Sequence, residues 1–473
     1  MIRTLIASAA ALLIATPTFA QSAQERLDAR YDRALAAGYK ALFLCSATAN
    51  AERLGGSRTP ASIHEWELTG IYPKLDPIIR DLPFEIVRRV ESGGNQGPVD
   101  HVRVSWSDDM PPRVAGHLPG DGCYIQPIGA PVPEAQPVPA DYSAEVIPED
   151  GWRTDPSILG ANASESLGSA AFDGTYGEGS RTTAALVVKD GAIVMESYAD
   201  GFDATTPQRT WSVAKSIAAT LVGAAVKSGE FEVGEPIGIN YWRSGGGFDA
   251  RNAITIDHAL RMATGRYSDT PGNRTDPLYW GGSTVDERST NWPVVHAPGT
   301  VYRYANNDTL MAIKGVENYL SYYGANPVLQ RFGMHRTIAE TDWRGGYVLS
   351  SQVWATARDL ARLGQLHLDD GMVGEERLLP ENWSDYVSDP AGPQPQGTSW
   401  GYGAGWWTFR RPEGNAFEGI PDDAFAARGN RGQYVVVVPS RNVVIVRRGE
   451  DMVGTRFDIA AFTRDVLAAL GEE

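Results

Sequence analysis

Two hairpins are apparent in the pattern of apolar and polar positions along the chain. β-Branched and apolar residues flank Lys189-Asp190-Gly191, which has the composition of a tight turn, so a β-hairpin is predicted there. A second pair of apolar runs flanks Pro439-Ser440-Arg441-Asn442, and a further segment alternates like a single strand. The predicted strands span residues 183–188, 192–198, 402–409, 433–438 and 443–447.

Apolar positions with a period near 3.6 residues predict helices between and around these strands. The clearest helix follows Ser212, where Ile217, Leu221 and Ala225 keep helical spacing and Gly229 marks the end. Strands at both ends of this region, with helices between them, predict an α/β fold. Its expected form is an antiparallel sheet flanked by helices, with an all-helical insert. Helices are predicted over residues 24–45, 212–228, 257–263, 356–368 and 457–470.

A proline-rich segment divides the chain. Residues 128–155 contain five prolines among polar residues, a composition typical of a linker. We therefore predict three parts: residues 1–20, an N-terminal extension over 21–150 whose role is open, and a main domain over 151–473.

The first twenty residues have the pattern of a signal peptide. Arg3 precedes an apolar run from Leu5 to Thr16, and Thr18-Phe19-Ala20 offers small residues before a cut at Gln21. The run is shorter than the roughly 20 residues that a membrane span needs, and no cysteine follows the cut to carry a lipid anchor. The sequence predicts an exported protein without a membrane anchor, with the periplasm as the expected compartment.

Charge and cysteine content narrow the possible partners. The formal net charge of -16 argues against nucleic acid as a partner and favours a small-molecule substrate. Cys45 and Cys123 are the two cysteines of the chain, and in an oxidising compartment they would form one disulfide, although two buried thiols are the alternative. No cysteine and histidine cluster has zinc spacing, so neither a metal nor another cofactor is expected. The oligomeric state is left open.

Ser212-Val213-Ala214-Lys215 opens the predicted helix after residue 211 and is a candidate nucleophilic site. A spacing of three residues on a helix places Ser212 and Lys215 on one face. A serine hydroxyl needs a base to remove its proton, and a lysine amine can serve if burial or nearby positive charge lowers its pKa from about 10.4. The helix N-terminus favours developing negative charge, and the Ser212 N–H can point at an oxyanion.

Two later segments supply further groups for this chemistry. Tyr304-Ala305-Asn306 offers a phenol that could ionise partly beside a lysine cation and pass a proton to a leaving group. Asn306 could hydrogen-bond the lysine or a substrate amide. Gly429-Asn430-Arg431-Gly432-Gln433 leads into a predicted strand, and the Gln433 N–H is the candidate for a second oxyanion donor.

The order Ser-x-x-Lys, Tyr-x-Asn and a glycine-containing strand motif resembles the serine β-lactamase-related family. Residues 254–265 (ITIDHALRMATG) and 360–366 (LARLGQL) are similar to further segments of that family, and residues 212–223 look most like its 6-aminohexanoate-dimer hydrolase subgroup. The resemblance covers about residues 180–470. It implies an α/β sandwich with an all-helical domain and a site in the cleft between them. It further implies Ser212 as nucleophile, Lys215 as base and Tyr304 as proton shuttle. The oxyanion hole would be formed by the N–H groups of Ser212 and Gln433.

The third motif departs from the family pattern, which is usually Lys-Thr-Gly or His-Thr-Gly. Asn430, Arg431 and Gly432 stand there and are the candidate substrate-binding residues, with Arg431 as the cation if it faces the cleft. Three functions stay open: a hydrolase of small amides or carboxylic esters that works through an acyl-enzyme, a β-lactamase or D,D-peptidase, and a non-catalytic scaffold.

Four aromatic residues are candidates for the rim of the cleft. Trp406 and Trp407 lie on the predicted strand 402–409, and Tyr267 and Trp280 lie in the loop after Gly265. Each of them could equally belong to the core, since large aromatic side chains are mostly buried.

Overall fold

A computed structural model describes residues 16–90, 96–138, 145–243, 247–267, 276–280 and 282–471. The strands are β1 (Phe84–Val90), β2 (Gln96–Val104), β3 (Arg113–Leu118), β4 (Gly122–Ile125), β5 (Arg153–Thr154), β6 (Thr182–Lys189), β7 (Ala192–Tyr198), β8 (Gln208–Arg209), β9 (Ile338–Ala339), β10 (Val353–Ala355), β11 (Met372–Val373), β12 (Glu376–Arg377), β13 (Gly401–Tyr402), β14 (Trp407–Thr408), β15 (Arg410–Arg411), β16 (Gly414–Asn415), β17 (Phe425–Gly429), β18 (Gln433–Val438) and β19 (Val443–Gly449). The largest sheet of the described chain has eight strands in the order β13-β14-β17-β18-β19-β6-β7-β5, antiparallel except for the β5–β7 pair.

Helices cover this sheet on both faces and form an insert beside it. The helices are α1 (Thr16–Arg53), α2 (Pro60–Glu65), α3 (Asp76–Asp81), α4 (Ala161–Ala170), α5 (Val213–Lys227), α6 (Asn240–Arg243), α7 (Ile256–Leu260), α8 (Asp276–Trp280), α9 (Val285–Thr290), α10 (Asn306–Gly315), α11 (Glu317–Tyr323), α12 (Ala325–Arg331), α13 (Ala357–Leu368), α14 (Trp383–Ser388) and α15 (Ile459–Ala469). Helices α6 to α12 form the insert. The predicted α/β fold with helices around a mainly antiparallel sheet is confirmed.

The central strands are buried along their whole length because helices pack on both faces. Alternate residues of β18 and β19 contribute to two separate cores, one with α5 and α13 and the other with α15. The predicted hairpin is β6–β7, and Asp190 and Gly191 both have positive φ, as a two-residue type I′ turn requires. These strands and helix α5 match the predicted spans to within two residues.

The segment 402–409 is not the single strand that its alternation predicted. It forms two short strands, β13 and β14, which pair with each other across a reversal at residues 403–406. Gly405 lies in this reversal with φ +82° against helix α5, and its carbonyl accepts a hydrogen bond from Ser216 (2.8 Å). The reversal needs close backbone approach and a left-handed residue, and glycine satisfies both.

The N-terminal extension consists of α1, α2, α3 and a four-stranded antiparallel sheet, β1-β2-β3-β4. Helix α1 runs beyond the predicted 24–45 at both ends. Residues 1–15 of the predicted signal peptide lie outside the described residues, and the cut at Gln21 stays a prediction. The predicted disulfide between Cys45 on α1 and Cys123 on β4 is present, with a Cα–Cα distance of 6.1 Å.

The extension shares its core with the main domain. Its buried apolar residues form one cluster with Trp211 and Trp354 of the main domain. Trp211 follows β8, and Trp354 lies in β10. Residues 128–155 carry almost no regular structure in their described part, so the chain crosses between the two parts as a loop. In the part of the chain that the structure describes, no helix has the length and apolar character that a bilayer crossing requires.

Candidate active site

Ser212 stands at the entrance of α5 in an unusual local geometry. The preceding residue, Trp211, has φ +50°, a left-handed conformation that is strained for a bulky side chain. Ser212 occupies the N-cap position, but its hydroxyl does not cap the helix as serine usually does there. The hydroxyl is instead hydrogen-bonded to Lys215 and to Tyr304. The strained turn therefore presents Ser212 to the other candidate catalytic groups.

Lys215 is buried and has three polar contacts. Its Nζ lies 3.1 Å from Ser212 Oγ, 2.6 Å from Asn306 Oδ1 and 2.8 Å from the Ser350 carbonyl oxygen. Burial, and to a smaller extent the positive charge of Arg209, lowers the pKa of Lys215 to about 7. A neutral amine has two N–H donors and one lone pair. In the charged form Lys215 donates to all three oxygens, Ser212 Oγ included. In the neutral form Asn306 and Ser350 can accept its two N–H bonds, which leaves the lone pair for the Ser212 hydroxyl.

Tyr304 and Asn306 are brought to this point by the start of α10. Burial raises the pKa of Tyr304 to about 12, although its hydrogen bond with Ser212 acts in the opposite direction. The phenol is therefore protonated at neutral pH, and the partial ionisation expected from the sequence is not favoured. Asp308 anchors this end of α10 by accepting hydrogen bonds from Thr264 (2.8 Å) and Arg266 (3.0 Å).

A cleft of about 480 Å³ opens above the Ser212 hydroxyl. Its lining includes Ser212, Tyr304 and Asn306 together with the end of β17 and the start of the following turn, residues 428–430. Three residues of the N-terminal extension also line the cleft, and the rest of the wall consists of Trp211, Ser351, Trp407, Tyr434 and Val453. The structure thus brings together four predicted site residues. Ser212, Tyr304 and Asn306 line the cleft, and Lys215 is buried behind them in contact with Ser212 and Asn306.

Gln433 is not placed to act as the predicted second oxyanion donor. It begins β18 and pairs with Gly429 across the hairpin, its side chain is fully buried, and it does not line the cleft. The sequence analysis did not predict β17 as a strand. It therefore placed the cleft beside Gln433, after the β17–β18 turn, instead of beside Gly429, before it. The residues that border the cleft are Gly429 and Asn430, and Asn430 keeps its predicted place there.

Arg431 also differs from its predicted role, because it faces away from the cleft. It forms an ion pair with Glu450 (2.7 Å), and it donates to the carbonyl oxygens of Trp66 and Glu67 (2.9 Å each) and of Thr69. Its side chain is buried against the N-terminal extension. Arg431 is therefore a structural link and not a substrate-binding cation.

Gly432 lies beside Arg431 in the same turn and does not line the cleft either. It has φ +78°, and a Cβ atom there would collide with Arg447, which is ion-paired with Asp451 (2.8 Å). The glycine lets the turn pass over this buried pair.

The cation that does line the cleft is Arg428, which the sequence interpretation missed. Its guanidinium stacks on Trp400 (4.1 Å from the ring centroid) and on Trp407 (4.8 Å), and burial lowers its pKa. Among the described residues, no carboxylate forms an ion pair with Arg428. Arg428 lies on β17 before the turn, whereas Arg431 lies within the turn, has φ +59° and faces away from the cleft. Recognition of residues 425–429 as a strand was the signal that could have identified Arg428.

The four aromatic candidates for the rim have different outcomes. Trp407 lines the cleft, and its ring lies 5.6 Å from that of Tyr304. Trp406 is fully buried in the core beside α5. Tyr267 stacks on Trp292 away from the cleft lining, and the side chain of Trp280 lies outside the described residues.

The sequence and the fold of this chain are similar to those of known proteins. The 6-aminohexanoate-dimer hydrolase of Paenarthrobacter ureafaciens is 24% identical over 308 residues, which are 56% of this chain and 72% of that protein. A penicillin-binding protein homologue from Caulobacter crescentus has a similar fold, with a TM-score of 0.54 and 16% identity over 67% of this chain and 98% of that one. The model of the β-lactamase family matches residues 170–470. Since this match spans more than half of the chain, the protein belongs to the β-lactamase family of serine hydrolases.

Proposed function

We propose that the protein hydrolyses a small amide or carboxylic ester through an acyl-enzyme formed on Ser212. The observation that carries this proposal is the contact of the buried Lys215 Nζ with Ser212 Oγ, at 3.1 Å. A lysine whose pKa lies near 7 is a competent base at neutral pH, because about half of its molecules are neutral there.

The reaction follows from the positions of the protons. Lys215 removes the Ser212 proton as the hydroxyl oxygen attacks the carbonyl carbon, and a tetrahedral oxyanion forms. The Ser212 N–H at the start of α5 supports this oxyanion, and we propose that the main chain of Gly429–Asn430 supplies the second donor. Tyr304 is protonated and hydrogen-bonded to Ser212, so it gives a proton to the departing amine or alcohol. The Tyr304 phenolate then takes up the proton that Lys215 holds, which leaves both groups in their starting states. Lys215 next removes a proton from the water that attacks acyl-Ser212, and this proton passes to Ser212 Oγ as the acid leaves.

The relatives support the choice between amide and ester only broadly. The name of the matched 6-aminohexanoate-dimer hydrolase refers to an amide substrate. This chain is 24% identical to that protein over the matched region. Arg428 in the cleft wall would suit a substrate that bears a carboxylate, which both linear amides and β-lactams can do. β-Lactamase or D,D-peptidase activity is therefore the second candidate, and a non-catalytic scaffold is the third.

The test is hydrolysis of a panel by the wild-type protein, Ser212→Ala and Ser228→Ala. The panel contains p-nitrophenyl esters, nitrocefin and a linear 6-aminohexanoate dimer. Ser228 terminates the same helix α5 outside the cleft, so its substitution is the matched control. We expect Ser212→Ala to lose at least about 10³-fold in kcat and Ser228→Ala to retain activity. Full turnover by Ser212→Ala would contradict the proposal, and the preferred substrate would distinguish amidase, esterase and lactamase.

Mass spectrometry separates a narrow substrate range from an inert scaffold. A fluorophosphonate or a penicillin should add covalently to wild-type protein and not to Ser212→Ala. An unlabelled wild type that also fails to turn over the panel would favour the scaffold.

We also propose that the protein is exported to the periplasm. The disulfide between Cys45 and Cys123 supports an oxidising compartment, where such bonds persist. N-terminal sequencing of the protein recovered from a periplasmic fraction should begin at Gln21. Recovery of the uncut chain from the cytoplasm would refute this localisation.

A further inference from the structure

The N-terminal extension reaches the active-site cleft with three side chains. Tyr39 on α1 and Ile71 and Tyr72 in the loop before α3 line the cleft together with Ser212. All three residues precede residue 170, where the match to the family model begins. This part of the wall is therefore outside the region shared with the family.

The two tyrosines of this wall are held by their hydroxyl groups. Tyr39 donates to Asp276 (2.8 Å), Tyr72 donates to the same oxygen (3.0 Å), and the two phenol oxygens lie 3.2 Å apart. Asp276 begins helix α8 of the helical insert. Since the hydroxyls are engaged with each other and with the insert, the wall offers mainly carbon atoms to a ligand.

The same face of α1 supports the nucleophile. Phe43 lies one helical turn after Tyr39, with 5.9 Å between ring centroids, and it packs on Trp211 at 6.1 Å. Trp211 immediately precedes Ser212. A continuous row of aromatic rings thus leads from the extension to the acylated residue.

The proton donor lies in a different aromatic group. Tyr304 packs on Trp407 (5.6 Å), and Trp407 in turn carries the guanidinium of Arg428 (4.8 Å). A leaving group must approach Tyr304 to receive its proton, so it belongs on this side of Ser212. The side that is left for the acyl group is the one bounded by Trp211 and the extension.

Resting on the proposed function, we propose that the N-terminal extension is the acyl-specificity wall of the enzyme. Tyr39, Ile71 and Tyr72 bind an apolar acyl chain or ring of the substrate. The selectivity for that group then comes from a part of the chain that the rest of the family domain does not contain.

The test measures acyl-chain preference in the full-length protein. The substrates are p-nitrophenyl acetate, butyrate, hexanoate and octanoate, and the proteins are wild type, Ile71→Ala, Tyr72→Ala and Leu118→Ala. Leu118 is half-exposed on β3 of the extension and does not line the cleft, so it is the matched control. Burial of each methylene stabilises a complex by about 0.8 kcal/mol, which corresponds to about a fourfold increase in kcat/KM.

We expect the ratio of the best long-chain ester to acetate to fall about tenfold in Ile71→Ala and Tyr72→Ala and to be unchanged in Leu118→Ala. Tyr72→Phe keeps the ring and should keep the ratio, which separates loss of the wall from loss of the bond to Asp276. Unchanged ratios in both alanine variants would overturn the proposal.

A ratio between two esters is insensitive to a general loss of active protein. Should wild type turn over no ester, the amide and nitrocefin of the earlier panel decide the proposed function, and the wall is tested by binding alone. Calorimetry with octanoate and with acetate should then still show selective binding of octanoate to wild type and its loss in Tyr72→Ala. Equal binding of the two acids to wild type would overturn the proposal on the wall.

Discussion

The depressed pKa of Lys215 predicts the pH profile of the enzyme. With a pKa of about 10.5, roughly one lysine in 3,000 would be neutral at pH 7, whereas a pKa of about 7 leaves about half of them neutral. The burial of Lys215 therefore raises the reactive fraction about 10³-fold. Lys215→Arg cannot release its proton at any working pH and should lose a similar factor in kcat.

The direction of the pH dependence follows from the role of the amine. The base must be neutral, so log kcat/KM should rise by one per pH unit below about 7 and level off above about 8. Tyr304 has a pKa of about 12, so it should produce no descending limb below about pH 10. The assay is kcat/KM between pH 5 and 10 with the best substrate of the panel.

A second pair of variants assigns this limb to Lys215. Histidine has an unperturbed pKa near 6.5 and the chain has seven histidines, so the midpoint alone does not identify Lys215. Arg209 lowers the pKa of Lys215 by its charge. Arg209→Met should therefore move the midpoint to higher pH, whereas Arg209→Lys keeps the charge and should leave it near 7. Equal midpoints in the two variants, or a wild-type midpoint above 9, would refute the assignment.

Three further outcomes are expected. Arg428→Gln should reduce kcat/KM at least about tenfold for a substrate whose leaving group bears a carboxylate, because a hydrogen bond to a charged group contributes about 1.5–3 kcal/mol. For p-nitrophenyl acetate the loss should be less than threefold, and equal losses for the two substrates would exclude a carboxylate contact. Glu340→Gln should lower the melting temperature in calorimetry, since five donors converge on this carboxylate and an amide nitrogen would leave some of them unpaired; an unchanged melting temperature would contradict this. Replacing Cys45 and Cys123 by serine should destabilise the protein by roughly 4 kcal/mol, because the bond spans 78 residues; the same melting temperature with and without reductant would argue against it.

The parts of the site that depend on local sequence were predictable. Ser212 and Lys215 are three residues apart on one helix, and this spacing alone brings their side chains to one face. The hairpin β6–β7 was equally local, because Asp190 and Gly191 suit its turn. Tyr304 and Asn306 are about ninety residues away from Ser212, so no local spacing connected them with it; their side-chain chemistry and the family resemblance did.

The arrangement around Arg431 depended on a register that the sequence interpretation missed. The turn of β17–β18 has left-handed residues at Arg431 and Gly432, and it reverses the chain before Gln433. Because β17 was not predicted as a strand, residues 430–432 were interpreted as part of the substrate-binding wall. In the structure they form the turn between β17 and β18. The cation at the cleft is therefore Arg428.

The contribution of the extension could not be predicted from any local pattern. Tyr39 and Tyr72 lie more than 130 residues before Ser212, and their sequence neighbours are ordinary helix and loop. Their position depends on the packing of α1 against Trp211 and Trp354. Such long-range contacts are set by the fold as a whole and leave no periodic signal in the sequence.

The contacts of Arg431 explain why the extension and the catalytic hairpin form one unit. The guanidinium and its partner Glu450 are both buried, and the guanidinium donates to three main-chain carbonyl oxygens of residues 66–69 as well as to those of Glu450 and Asp451. Separation of the extension would leave the ion pair with Glu450 in place but would remove the three hydrogen bonds to residues 66–69 at the turn carrying Asn430. The extension therefore both lines the cleft and holds the turn that carries Asn430 at its edge.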